Sequence, residues 1–358
     1  MVYSRAGRAQ ALQTYLPYIG QAPIYAFNPD HIDWKRKQVA GMVKTENGWR
    51  VRLFPLPAVV YSQYYGDKRR LFFRLEQRIG IGKCFNAINR FDKLDVHRTL
   101  ASTPIILNLP ETLPYSKENL RAMLERHGVV FLKPCRGSKG KGIYRVQKLC
   151  QQDELEFTIA EDVWVPFCKV NDIGALDRQL VQSMNKKPYI IQKEMNRIKL
   201  DDHLIDFRIM TQKGTDGKWT ITAGLTRFVR RSYFISNVYR ICDSLQNVLE
   251  RLFEDPERRS SVYRGIESLC IETANVLERK YGLLGELGID IILDHDDRAW
   301  LVEVNAMPSK TIFDDITGDR DKEMVYRSPM DYCKYLLTKK KVIRHKRKKS
   351  IISRKRKR

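Results

Sequence analysis

The clearest periodicity in the chain lies between residues 256 and 281. Val262, Ile266, Leu269, Cys270, Thr273, Val276, Leu277 and Tyr281 recur at spacings of three and four. That pattern gathers them on one broad face of a helix. Asp255 stands before Pro256 and Gly282 follows Tyr281, an N-cap, a first-position proline and a stop. Shorter helices are expected over 67–79, over 92–101, and from the cap Ser116 to His127, closed by Gly128. Apolar runs at 23–27, 50–61, 129–132, 143–147, 188–192, 204–212, 218–223, 287–293 and 299–304 read as strands. Asn47-Gly48 and Thr215-Asp216-Gly217 mark tight turns between them. Hairpins mixed with helices predict an α+β body with antiparallel sheets rather than a doubly wound parallel one.

With 358 residues, 43% of them apolar, the chain has material for two domains or for one with sub-lobes. No run approaches the roughly 18 apolar residues of a membrane span. The first twenty residues lack the compact apolar run of a secretory signal, so a cytoplasmic protein is expected. The formal charge of +23 is concentrated: residues 339–358 hold 13 Lys/Arg and no acid. Such a block repels itself and is expected to be a solvated arm open to polyanions. Without it, 52 basic face 42 acidic residues, a balance that suits a phosphate-bearing ligand. Seven cysteines, an odd number, form no C-x-x-C, and six histidines form no H-E-x-x-H. Reduced thiols are expected, and zinc and thioredoxin-like chemistry has no support.

Asp290, Glu303 and Asn305 carry the strongest local chemistry. The turn-rich link Asp294–Arg298 joins their strands. A loop centred between Asp296 and Asp297 sets Asp290 opposite Glu303, with Cβ atoms ~5 Å apart and Asn305 on the same face. Opposed carboxylates need a positive partner, and Mg²⁺ suits oxygen donors of this kind. The bland alternative is an exposed hairpin whose charges water tolerates. Next, Lys133 ends a strand and leads into Gly137, Ser138, Gly140 and Gly142, with Arg136, Lys139 and Lys141 among them. No helix follows, so this is neither a Walker loop nor a dinucleotide fingerprint. It is a phosphate-covering flap or a flexible basic loop. Gln192 to Met195 end an apolar strand and offer either an adenine-binding edge or an ordinary strand end. Asp206 and Arg208 share a face, with Arg227 further on, as a salt bridge or as guanidiniums aimed at a phosphate or carboxylate.

In this order the features resemble the ATP-grasp superfamily. LVEVNAMPS at 301–309 is the most specific single motif. Residues 27–61, 84–100 and 204–228 narrow the resemblance to the YheC/YheD-type endospore coat-associated ATP-grasp proteins, over nearly the whole chain to about residue 315. The resemblance implies a small N-terminal α/β domain (1–90) before two α+β lobes that clasp ATP. One lobe carries the flap (91–195), the other the metal site (196–335), and a basic tail follows (336–358). It implies Lys93 and Lys133 as nucleotide lysines, Gly137–Gly142 as flap, and Gln192, Lys193, Glu194 and Met195 as adenine hinge. Asp290, Glu303 and Asn305 are then the Mg²⁺ ligands, and Arg208 and Arg227 face the γ-phosphate or a substrate carboxylate. The implied activity is ATP-dependent ligation of a carboxylate to an amine through an acylphosphate, in association with a spore coat. A nucleotide-binding coat component without turnover is the rival. A third reading makes the tail the main activity, limited to phosphate contacts because it holds no aromatic residue. The chain departs from the family pattern at Pro57–Gln63 and after Arg227, over 228–242. These departures fall on the acceptor side of the implied site.

Overall fold

The computed structural model describes residues 8–20, 22–64, 66–88, 90–137, 140–151, 154–161, 166–229, 239–314 and 319–340. Helix α1 (Arg8–Tyr15) precedes an antiparallel sheet of β1 (Ala26–Asp33), β2 (Gln38–Thr45) and β3 (Gly48–Pro55), in that order. The run 50–61, expected as one strand, is two. β3 stops at Pro55, and the short β4 (Val60–Tyr61) begins after Pro57. Each proline removes an N–H that a continuing ladder needs. β4 pairs in parallel with β5 (Cys84–Phe85). Helix α2 (Arg69–Ile79) packs Phe72, Leu75 and Ile79 against Phe27, Val39 and Val60.

Two sheets make up the rest. The first has the order β10-β9-β8-β7-β11-β6. Its strands are β6 (Thr112–Pro114), β7 (Val129–Pro134), β8 (Tyr144–Gln151), β9 (Glu154–Glu161), β10 (Cys168–Val170) and β11 (Tyr189–Lys193). Helices α4 (Lys117–His127) and α5 (Ile173–Met184) cover it through Leu120, Leu124, Leu176 and Leu180. The Ser116 hydroxyl accepts the Asn119 N–H, and Gly128 takes φ 70° at the helix end. The cap and stop read from the sequence are both present.

In the second sheet, β13 (His203–Lys213), β14 (Trp219–Val229), β15 (Tyr239–Ser244), β16 (Glu286–Leu293) and β17 (Ala299–Asn305) run in the order β15-β14-β13-β16-β17. The short β12 (Lys199–Leu200) pairs with β13. One face is covered by α6 (Leu245–Leu252), α7 (Pro256–Tyr281) and α3 (Lys93–Ala101). Seven residues of the periodic α7 face, Val262, Ile266, Leu269, Cys270, Val276, Leu277 and Tyr281, enter this core. Although α3 precedes the first lobe in sequence, its Val96 and Leu100 pack here too. Helix α8 (Asp319–Thr338) covers the opposite face with α1. Because α8 runs to Thr338 and buries Leu336, residues 336–338 of the expected tail are helical. Residues 341–358 of that tail lie outside the described residues. No described helix is long and apolar enough to cross a membrane.

A buried polar cluster joins the N-terminal layer to the second sheet. Lys310 Nζ lies 2.6 Å from Glu286 Oε2 and donates to the hydroxyls of Tyr15 and Tyr61 at 2.8 and 2.9 Å. Tyr61 donates to Glu286, and Gln63 and Gln212 donate to the same carboxylate at 3.0 and 3.1 Å. Every hydrogen bond satisfies a group that burial would otherwise penalise. Tyr61 and Gln63 lie in the Pro57–Gln63 stretch, so part of that departure sits inside this cluster. Cys84, Cys135 and Cys270 are buried free thiols.

The turn between β13 and β14 tests the docking of α8. Gly217 has φ 72°, its N–H bonds the Gly214 carbonyl at 3.2 Å, and a Cβ there meets the ring of Tyr335. Gly217→Ala is expected to lower stability by about 1–3 kcal/mol. In urea this reads as a lower midpoint at unchanged slope. An unchanged midpoint shows that Tyr335 can move aside.

Candidate nucleotide and metal site

The site is built on the hairpin of β16 and β17. Asp290 pairs with Glu303 and Gly288 with Asn305, the expected register. It arises differently from the expected even loop. The turn is five residues long, with Leu293 opposite Ala299, and the Asp294 carboxylate accepts the N–H groups of Asp296 and Arg298. A bulge next to Asp290 then leaves Val302 as the extra residue of β17 and restores the pairing of Asp290 with Glu303.

Across the sheet runs a row of alternating charge. Arg227 and Asp206 are direct cross-strand partners, 2.6 Å apart. Arg208 and Asp290 are the next pair, with two hydrogen bonds of 2.5 and 3.0 Å. Arg227 also reaches Asp290 at 3.1 Å, and Lys93 from α3 meets Glu303 at 3.0 Å. Asp206, Arg208, Arg227 and Asp290 are all less than a tenth exposed. Burial pushes the Asp290 carboxyl up, but the guanidiniums of Arg208 and Arg227 outweigh it and hold the group below its ordinary value. The opposed carboxylates thus already have protein cations beside them. Arg208 does not pair with Asp206, its neighbour on the same face. The two ion pairs run across strands instead.

The oxygen donors also suit a hard divalent cation. Glu303 keeps Oε2 clear of hydrogen bonds to the described residues, and Glu303 and Asn305 both line a solvent-open cleft. Asp290 sits behind them, with the Asn305 Nδ2 at 3.4 Å. A carboxylate offers about four lone-pair positions, so Arg208, Arg227 and Asn305 leave Asp290 little spare capacity.

The cleft lies between the two sheets and spans about 860 Å³ with its mouth. Lys93, Lys133, Gly137, Gln192, Glu303 and Asn305 all line it, with Leu100, Leu109, Pro110 and Ile190 as apolar wall. Lys133 Nζ donates to Gln192 Oε1 at 2.6 Å. Burial pushes the Lys133 ammonium down to about 8, with Lys93 and Arg197 adding to the fall and Glu303 opposing it. The root of the glycine-rich loop after β7 is tied to α3: the Lys93 N–H bonds the Cys135 carbonyl at 2.9 Å, and its Nζ reaches the Gly137 carbonyl at 3.4 Å. Gly140 and Gly142 take φ near 73°, as a turning loop requires, but neither lines the cleft; Ser138 lies outside the described residues.

Of the expected hinge, only Gln192 lines the cleft. The Lys193 N–H bonds the Glu111 carbonyl, Arg145 holds Glu194 through two bonds of 2.9 and 3.0 Å, and Met195 is outside the lining. Sequence reasoning passed over Arg145, Arg197, Thr112 and His97. His97 lines the cleft one helical turn from Lys93, a spacing that could have flagged it. Neither Arg197 nor Arg145 lines the cleft: Arg197 acts on the Lys133 ammonium by its charge and Arg145 binds Glu194, through tertiary packing that no local pattern announces.

Solved structures share this architecture. D-alanyl-alanine synthetase A from Vibrio cholerae matches with a TM-score of 0.52 at 11% identity, over 94% of this chain and 95% of that one. The ATP-grasp ligase PsnB, solved with a phosphomimetic precursor variant, Mg and ADP, matches with a TM-score of 0.53 at 15% identity, over 94% and 97%. The fold is therefore that of the ATP-grasp class. Within it, the YheC/D-like ATP-grasp family model matches residues 82–336, and the chain belongs to that family. Its relatives include two endospore coat-associated proteins of Bacillus subtilis, each 25% identical. YheD aligns over 88% of this chain and 71% of its own length, YheC over 64% and 62%. The chain thus spans under two thirds of YheC.

Two measurements test the charge row. Asp290→Asn leaves two buried guanidiniums short of a counter-charge and is expected to cost about 3 kcal/mol of stability. Glu303→Gln, at a half-buried pair, is expected to cost clearly less in the same urea titration. Equal losses show that the row does not converge on Asp290. Lys133 sets a pH window. Its folded value lies near 8 against 10.5 in the unfolded chain, so between these the unfolded chain binds more protons. Its contribution to stability therefore rises with pH over that window. Lys133→Met is expected to remove this rise, and an identical pH profile for parent and variant overturns the assignment.

Proposed function

We propose that the protein is an ATP-dependent ligase that joins a carboxylate to an amine. The observation that carries this reading is the meeting of Lys93, Lys133 and Gly137 with Glu303 and Asn305 around one cleft. Cationic donors on one side and oxygen donors on the other are what a polyphosphate chain with its cation needs. Glu303, Asn305 and Asp290 would hold Mg²⁺, which when bound offsets charge on the transferring phosphoryl group. Lys93 and Lys133 bind and orient the phosphates. Arg208 uses two of its five N–H groups on Asp290, which leaves donors for a γ-phosphate or an acceptor carboxylate. Arg227 is the second candidate for that role. Gln192 marks the adenine side from within the cleft, with Lys193, Glu194 and Met195 following it outside the lining, and Gly137, Gly140 and Gly142 are the proposed flap over the phosphates.

In the reaction, a carboxylate oxygen takes the γ-phosphoryl group and ADP leaves. The amine nitrogen then attacks the acyl carbon, the carbon–oxygen bond to phosphate breaks, and the amine gives up a proton. No protein nucleophile takes part. Two fold neighbours are named as a ligase and a synthetase, which supports the class of reaction. Association with the spore coat rests on the names of the relatives. Coat proteins are the proposed macromolecular partners, with a polyanion as partner of residues 339–358.

One observation favours a second reading, a nucleotide-holding coat component without turnover. Arg208 engages both oxygens of Asp290, which itself does not line the cleft. The experiment is incubation with ATP, Mg²⁺ and pooled cell-extract carboxylates and amines, followed by phosphate release and mass spectrometry. Phosphate with a new amide, both lost in Lys133→Met, is the expected result. MgATP binding without phosphate release under any acceptor selects the second reading. Absence of nucleotide binding overturns both.

A further inference from the structure

Outside the tail, the positive charge of the chain is confined to one region. Residues 1–90 hold 15 Lys/Arg against 5 Asp/Glu, whereas residues 91–338 hold 37 of each. Within the basic region, β3 is an edge strand. It pairs with β2 on one side and with no described strand on the other. Its sequence alternates two kinds of exposed side chain. Arg50 and Arg52 lie on one face, while Val51 and Leu53, 57% and 70% exposed, lie on the other. The Leu56 N–H bonds the Lys37 carbonyl at 3.1 Å, which fixes the phase of the ladder. Even-numbered residues of β3 face β2, so the main-chain groups of Val51 and Leu53 point outward. Pro55, with no N–H, ends the free edge.

We infer that this edge takes an extended peptide of alternating acidic and apolar residues as a fourth strand. Residues directly opposite on paired strands share a face. Acidic side chains therefore meet Arg50 and Arg52 while apolar ones cover Val51 and Leu53, and the outward main-chain groups supply the ladder. A second copy of β3 does not fit. The registers that match Val51 with itself or with Leu53 set Arg50 opposite Arg52 or Arg52 opposite itself. The chain's own tail does not fit either, since residues 339–358 hold no acid. The arginines thus block self-pairing and select an acidic partner. The edge precedes the family match at residues 82–336, so this inference does not depend on the ligase reading.

The test uses the full chain and three labelled eight-residue peptides in fluorescence polarisation: alternating Glu and Val, four Glu followed by four Val, and alternating Lys and Val. The alternating Glu/Val peptide is expected to bind about tenfold or more tighter than the block peptide. Arg50→Glu with Arg52→Glu is expected to reverse the preference toward the Lys/Val peptide, with an unchanged melting profile as control for folding. Leu53→Lys is expected to weaken the Glu/Val peptide alone. Equal binding of the block peptide overturns the inference, because the surface then reads net charge only. Unchanged binding in the double variant, or no binding to the parent, overturns it as well.

Discussion

The site depends on keeping several like charges close together inside a sheet. Asp206, Asp290 and Glu303 lie within a few strands of one another, and the fold holds them by placing Arg227, Arg208 and Lys93 between and beside them. Each pair is a cross-strand partner or comes from the helix packed alongside, so register and electrostatics support each other. Breaking one pair leaves a buried charge without its partner, which costs far more than the intact pair contributes. The row therefore makes the register of β13, β14 and β16 an all-or-none property. A one-residue slip separates every pair at once.

The same logic extends to how the parts are joined. α3 packs on the second sheet, yet its first residue holds the root of the glycine-rich loop that leaves β7 in the first sheet. The helix is thus a strut between the two walls of the cleft. On the far side, Glu286 and Lys310 draw the N-terminal tyrosines and the Gln63 amide into one buried cluster. Asn86 adds to this joint: its side chain donates to the carbonyls of Glu286 and Ala306 and accepts the Gly285 N–H. The N-terminal layer is bonded directly to both ends of the β16–β17 hairpin.

Much of this was legible in the sequence, for identifiable reasons. The cap at Asp255, the stop at Gly282, the cap at Ser116 and the strands around Lys133 and Asp290 rest on local patterns, and local patterns survive into the fold. Strand β2 and helices α5 and α8 went unread, and α8 carries Pro329 within its length. The residues of the implied site were legible mainly through their order along the chain. Their partners were not. The pairing of Arg208 with Asp290, of Lys93 with Glu303 and of Arg145 with Glu194 joins residues 49 to 210 positions apart. Such distances are closed only by packing.

The hairpin that carries Asp290 and Glu303 has a consequence for how this chain can change. Its turn has an odd number of residues and its β17 strand has one surplus residue, Val302. Leu301 and Glu303, on either side of Val302, already pair with Ile291 and Asp290, which are neighbours on β16. Without Val302 the two become consecutive and alternate sides as Ile291 and Asp290 do, so Glu303 and Asn305 keep their face. Loss of Val304 instead sets Asn305 opposite Ile289 and turns it to the other side of the sheet. Deletion along β17 is therefore best tolerated at the bulge and least tolerated between Glu303 and Asn305.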